Sequence, residues 1–186
     1  MEEELYHAAR DNDVKQAREI LQRHPKLNVN WANSARKDWT ALHAACEAGH
    51  DVIVKMLVTH PGILMNQCTK QGSTAFQVAC FNGRARVVAI LLRDPRVLIN
   101  QPDLLGAKPA FCGFLAVVKW MMASGRKVEL ELAMNEDTAG IREKSRADLN
   151  TLLQRFRADP ETVRAGLRRE LNIRGQTVLS ARFLPP

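Results

Sequence analysis

Trp39-Thr40-Ala41-Leu42-His43-Ala44-Ala45-Cys46-Glu47-Ala48-Gly49-His50 returns, altered but in step, 34 residues later as Ser73-Thr74-Ala75-Phe76-Gln77-Val78-Ala79-Cys80-Phe81-Asn82-Gly83-Arg84. A fixed repeat of this length makes a chain a pile of similar units, each burying its apolar side against the next, and not a globule around one centre. A second pattern recurs with it. Apolar triplets at i, i+3, i+4 stand at Ala17/Ile20/Leu21, Val54/Leu57/Val58, Val88/Leu91/Leu92, Val118/Met121/Met122 and Leu149/Leu152/Leu153. That spacing puts three side chains on one helical stripe, and the steps between copies are 37, 34, 30 and 31 residues.

The quoted unit resembles the ankyrin repeat, whose Thr, small residue or Pro, Leu, His, paired small residues and Gly-His read off Thr40, Leu42, His43, Ala45, Cys46, Gly49 and His50. The resemblance implies an all-α solenoid of about five helix pairs with short hairpin fingers over residues 1–157. Residues 158–186 are expected to form a C-terminal helix and a basic, partly apolar tail. Asp159-Pro160-Glu161 reads as that helix's start, and Val163, Leu167 and Leu171 as its apolar stripe.

The turns support the same reading. The second helices of the first three units stop at His24-Pro25, His60-Pro61 and Asp94-Pro95, since proline lacks the amide hydrogen that a helix needs. Each stop leads to an extended piece closing on Asn30, Asn66 or Asn100. In the family this Asn begins a finger projecting at right angles to the helices. Gly72 and Gly106 occupy the turn position that needs a positive φ, and Asp38 takes that place in the second unit. Trp31 to Trp39 is about three residues longer than the later fingers, matching the 37-residue step.

The last two units are irregular. Between Pro109 and Val118 the fourth is four residues short, so its inner helix is expected to shrink to a turn or to fuse with the outer helix through Gly113. The fifth is read as a short helix over 138–144 followed by a second over 147–156, with Arg142, Arg146, Arg155 and Arg157 outside its stripe.

Of the 186 residues, 46% are hydrophobic and 25% charged, an ordinary balance for a folded chain. No apolar run approaches the roughly 18 to 20 residues that span a bilayer, and Glu2-Glu3-Glu4 is the reverse of a basic leader, so an intracellular location is expected. Cys46, Cys68, Cys80 and Cys112 show no CxxC pair or matching His spacing, which points to reduced thiols and to neither zinc nor disulfides. The formal charge of +7 suits an acidic protein, a nucleic acid or an anionic surface.

No enzyme is indicated. His43 and His50 have structural places in the signature, and His24 and His60 precede helix-stopping prolines. No phosphate loop, HExxH or GxSxG occurs, and Glu129, Glu131, Glu136 and Asp137 read as a solvated finger. No cofactor is expected. The resemblance implies instead a monomeric, non-catalytic module or scaffold that binds an unidentified protein through finger tips and the exposed side of the inner helices. At the matching positions stand Arg36, Lys37, Trp39, Glu47 and Ala48 in the second unit, and Lys70, Gln71, Ser73, Phe81 and Asn82 in the third. The fourth supplies Leu104, Leu105 and Ala107. Trp39 and Phe81 are the aromatic anchors of this set, unless they fold back on the array together with Trp31.

An alternative is nucleic-acid or anionic-surface binding by the basic end, where seven arginines from Arg155 to Arg182 face Asp159, Glu161 and Glu170. The run has little aromatic interleaving and no reading motif, and such runs are usually solvated faces. The irregular fourth unit and apolar tail also fit a fragment or irregular isoform of a longer repeat protein.

Overall fold

A computed structural model describes residues 1–109, 114–129 and 143–173. Among these the chain is all-helical, with α1 (Glu2–Asp11), α2 (Val14–Arg23), α3 (Ala41–Ala48), α4 (Asp51–Val58), α5 (Ala75–Phe81), α6 (Ala85–Leu91), α7 (Leu115–Ala123), α8 (Glu143–Ala158) and α9 (Pro160–Glu170). The helices form two layers. In the inner one α1 packs on α3 and α3 on α5, and in the outer one α2, α4, α6 and α7 follow each other. The apolar triplets account for this order. Thirteen of their fifteen side chains are buried and Leu21 and Val58 are half-buried. Burial of one Leu, Ile or Val contributes on the order of 1.5–3 kcal/mol, so each stripe outweighs the weak helix propensity of its β-branched members.

Helix ends are set locally. The Thr40 hydroxyl accepts from His43 N–H while His43 Nδ1 accepts from Thr40 N–H, and Thr74 and Gln77 form the same reciprocal cap. The inner helices end on left-handed residues, Asn12 (φ 60°) and Gly49 (φ 86°), and Gly83 (φ 65°) makes the same turn after α5. Asn12 pays the side-chain cost that glycine escapes there. Asp13 then caps α2 by accepting from Gln16 N–H at 2.8 Å.

The finger asparagines bolt unit to unit. Asn30 donates to Gly62 O (2.7 Å) and accepts from Leu64 N–H (2.8 Å). Asn66 does the same to Arg96 O (2.7 Å) and Leu98 N–H (2.8 Å), and Asn100 to Lys127 O (2.8 Å) and Glu129 N–H (2.9 Å). Each amide so satisfies a carbonyl and an amide hydrogen of the extended piece that follows.

Two expectations are corrected in detail. The paired backbone of finger two, Asn33 to Trp39 in the second unit, encloses five residues where Thr69 to Ser73 in finger three encloses three. The finger tip is therefore two residues longer and not three, with a 3-10 turn over Ser34–Arg36 taking up the slack, and the remaining residue lies between α2 and Asn30. The fifth unit's expected break near residues 144–147 is absent, because α8 runs unbroken from Glu143 to Ala158 through a stretch with neither Gly nor Pro. The expected shrinking of the fourth unit's inner helix, or its fusion through Gly113, and most of the 138–144 helix fall on residues outside the described ones.

Helix α7 joins two apolar clusters. Its Val117 and Met121 complete the cluster running back through α1 to α6, whereas Val118, Met122 and Ala123 meet Leu149, Leu152 and Leu153 of α8 and Val163 and Leu167 of α9. Helix α9 thus shares a core with the repeat layers. Arg168 donates to Ala123 O (3.0 Å) and Arg164 to Met122 O (3.4 Å), so guanidinium groups meet the carbonyl end of α7, where a helix dipole favours positive charge. No described helix is long and apolar enough to cross a membrane.

Candidate functional site

The caps of the inner helices also hold the fingers. His43 Nε2 reaches Ser73 O at 3.2 Å, and Gln77 Nε2 reaches Ala107 O at 3.0 Å. A neutral imidazole with its proton on Nε2 and a carboxamide thus place an acceptor and a donor alike: one faces back to the cap, the other forward to the next finger. Burial pulls the His43 pKa down from 6.5 to about 4, against hydrogen bonds to the backbone of Ser73 and Gln67. The ring is neutral at pH 7 and bonded on both sides, and catalytic proton transfer there would break the bolt.

Farther out, the tips pair through backbone. Lys70 N–H donates to Lys37 O at 2.9 Å and Leu104 N–H to Gln71 O at 3.0 Å, which fixes fingers two, three and four side by side. Arg36, Lys37, Lys70, Gln71, Leu104 and Leu105 are exposed on this edge. Lys70 lies 3.8 Å from the Asp38 carboxylate, a contact of exposed groups. Leu104 and Leu105 are 75% and 92% exposed. Ser73 is half-buried, with its carbonyl taken by His43.

On the helix side, Glu47 is half-buried and its carbonyl accepts from Arg84 Nε at 2.7 Å, while Ala48 is half-buried beside it. Asn82 is exposed and turns its amide back to Val78 O at 2.8 Å. The aromatics divide. Phe81 is half-buried against the main core, and Trp31 meets Tyr6 edge-on at 6.3 Å. Trp39 is half-buried too, with its ring tilted over His43 at 6.1 Å. Each keeps part of its ring surface open while resting on the array.

His50, His60, His7 and Glu129 are used locally. His50 Nε2 bonds Arg10 O (3.1 Å), His60 Nδ1 accepts from Gly62 N–H (3.1 Å) and His7 faces Glu3 (3.8 Å). Glu129 pairs with Lys108 at 2.6 Å, and the other carboxylates of that expected finger lie outside the described residues. Cys46 and Cys80 are buried and Cys68 half-buried. Burial raises the Cys46 thiol pKa far above its ordinary range, so it is unreactive. Among the described residues no three His, Cys, Asp or Glu side chains cluster as metal ligands would.

Sequence reasoning passed over Phe114 and the glycines that receive the next unit. Arg84 lies across Gly49 and Phe114 across Gly83, where an added Cβ would come within 2.9 Å of each. The signal was the position after Gly, occupied by His50 and Arg84, which the 30-residue step carries onto Phe114. A family model of ankyrin repeats, three copies long, matches residues 5–103. A comparison with curated proteins returns no match.

Proposed function

The chain belongs to the ankyrin-repeat family, and from that premise we propose that it is a non-catalytic scaffold gripping a protein partner across fingers two to four and the open edge of α3 and α5. Ankyrin repeats serve in general as protein–protein interaction modules, and a repeat stack supplies a rigid extended surface for that purpose. In this reading five units run to residue 157, residues 158–186 form the C-terminal segment and the molecule works as a monomer.

One observation carries the reading. The polar groups at the finger bases are bonded between units, whereas the side chains at the tips point to solvent from a backbone already fixed. A surface ordered before binding loses little entropy on contact. Trp39 and Phe81 offer half-open rings beside it, the residue type that most often anchors interfaces.

The basic C-terminal end supports a nucleic-acid reading less well. Arg164 and Arg168 spend guanidinium protons on carbonyls of α7, leaving Arg155, Arg157 and Arg169 as its exposed cations among the described residues. The test replaces Trp39 and Phe81 together by Ala and compares co-purifying proteins with those of the parent chain. Loss of a partner at unchanged far-UV circular dichroism is expected, and an unchanged set would overturn the proposal.

A further inference from the structure

We infer that the tips of fingers two to four take an extended segment of the partner that is acidic at one end and apolar at the other. Its carboxylates meet Arg36, Lys37 and Lys70, and its apolar side chains lie on Leu104 and Leu105. The inference rests on the scaffold reading above and adds the chemistry of the partner.

Charge comes first. Among the described residues neither Arg36 nor Lys37 has an ion-pair partner, and Lys70 has only the exposed 3.8 Å contact with Asp38. Three cations against one carboxylate leave the edge of fingers two and three positive. An acidic segment gains attraction and a faster approach there, and the exposed Asp38 contact is easily exchanged.

Backbone geometry is the second, independent observation. Asp38 has φ of 61° where the matching turns use Gly72 (φ 77°) and Gly106 (φ 78°), and Lys37 beside it has φ of 58° where the matching turns have no left-handed residue. Glycine would make that extra turn without the side-chain penalty, so Lys37 holds its cation at the tip at a cost in backbone strain.

The fourth finger is built for the other end. The Asp103 carboxylate accepts from both Leu105 N–H and Ala107 N–H at 2.9 Å, and Leu104 N–H is tied to Gln71 O. The turn carrying the two leucines is therefore fixed, and their exposure is not that of a loose loop. The Leu104 side chain touches Gly72 on one side, yet most of both leucines stays open to solvent at the tip.

Distance sets the length of the segment. Each finger contributes two backbone strands about 4.8 Å apart, so one finger advances about 10 Å and the second to the fourth about 20 Å. An extended chain covers this in about six residues. The carboxylates and the apolar pair should then be separated by about four residues. A nucleic acid would find phosphate contacts at one end but no ring to stack on at the leucine end.

The intact chain is titrated into a fluorescein-labelled peptide of two glutamates, four alternating glycines and serines, a leucine and a phenylalanine, followed by anisotropy. A second peptide lacks the spacer, and a labelled oligothymidine of eight nucleotides serves as the polyanion control. The spaced peptide should bind about fivefold more tightly than the contracted one. Arg36→Glu with Lys37→Glu should weaken it about tenfold and flatten its salt dependence, while Leu104→Ser with Leu105→Ser should weaken it about fivefold with the salt dependence kept. Parent-like binding by either double variant, equal binding of the two peptides, or tighter and competing binding of oligothymidine would overturn the inference. If the co-purifying partner is lost with the Trp39 and Phe81 substitutions but kept by both tip variants, the tip assignment fails and the scaffold reading stands. If none of the variants changes the co-purified set, both fail.

Discussion

Replacing His43 by Gln should remove an acid-sensitive component of stability while keeping the bonds that the residue makes. The substitution copies the next unit, where Gln77 Oε1 takes Thr74 N–H at 2.9 Å and Nε2 donates to Ala107 O at 3.0 Å. His43 is 1% exposed, and burial lowers its pKa from 6.5 to about 4. The unfolded ring titrates near 6.5, so between pH 6.5 and 4 the unfolded chain binds more protons than the folded one. The stability from a neutral His43 is therefore complete above pH 6.5 and drains away as the pH falls toward 4. At pH 4.5 the loss is on the order of 2–3 kcal/mol, a large share of the 5–15 kcal/mol typical of a folded domain. The structural cause is plain: protonation puts a hydrogen on Nδ1, which then faces the Thr40 amide hydrogen it had accepted. Urea unfolding followed by far-UV circular dichroism at pH 7 and pH 4.5 measures the effect. Carboxylates common to both proteins cancel in the difference, and the parent should lose roughly 2–3 kcal/mol more than His43→Gln. Parallel pH profiles would refute the reasoning.

Further outcomes follow from the same contacts. Gly72→Ala forces a side chain onto φ 77° with its Cβ 2.8 Å from Leu104 N, whereas Gly106→Ala meets nothing within 4 Å at φ 78°. Urea unfolding should show a cost of about 1 kcal/mol for the second and about 2–3 kcal/mol for the first. Asn66→Ala removes the bonds to Arg96 O and Leu98 N–H and should cost about 1–3 kcal/mol, with faster hydrogen exchange at the Leu98 amide. Leu167→Ala should cost about 2–4 kcal/mol and lower exchange protection in α8 and α9 before that of α3 and α5, since Leu167 lies in the cluster beyond α7. Alkylation with peptide mapping should modify Cys68 ahead of Cys46 and Cys80, whose labelling should follow unfolding.

The layers were legible in sequence because their cause is local. A triplet at i, i+3, i+4 points three side chains one way whatever surrounds it, and Thr40-x-x-His43 carries its own cap. Legibility failed where the cause lies between units. Nothing near Asn66 in sequence says that its amide bridges Arg96 O and Leu98 N–H, 30 and 32 residues on, and nothing near Gly83 announces that Phe114 covers it. The finger tip was misjudged by one residue because the 37-residue step counts the whole unit, and only the Asn33 to Trp39 pairing shows which part of it lies in the tip. Of the proposed contact positions, exposure at Leu104 and Leu105 could be expected from apolar side chains at a turn. The half-burial of Trp39 over the His43 ring was one of two outcomes open in the sequence, and the choice depends on how the finger folds back.

How far along the stack a partner would find a fixed surface depends on what holds finger four. Finger three is held by the His43 ring and finger four by the Gln77 amide, through bonds of one kind to Ser73 O and Ala107 O. The leucine tip therefore takes its position from α5, behind it in the chain. The outer layer continues on its own account, from α6 through α7 to the α8 and α9 pair, with Asn100 carrying the finger bolt on to Lys127 and Glu129. Among the described residues one ladder is thus closed as far as Ala107 and the other passes it. The chemistry that changes along the tips, from the cations of fingers two and three to the leucines of finger four, is displayed on fingers held by bonds of one kind, with the tip of finger two longer by two residues. In the scaffold reading a partner would meet that change of side chains along the stack.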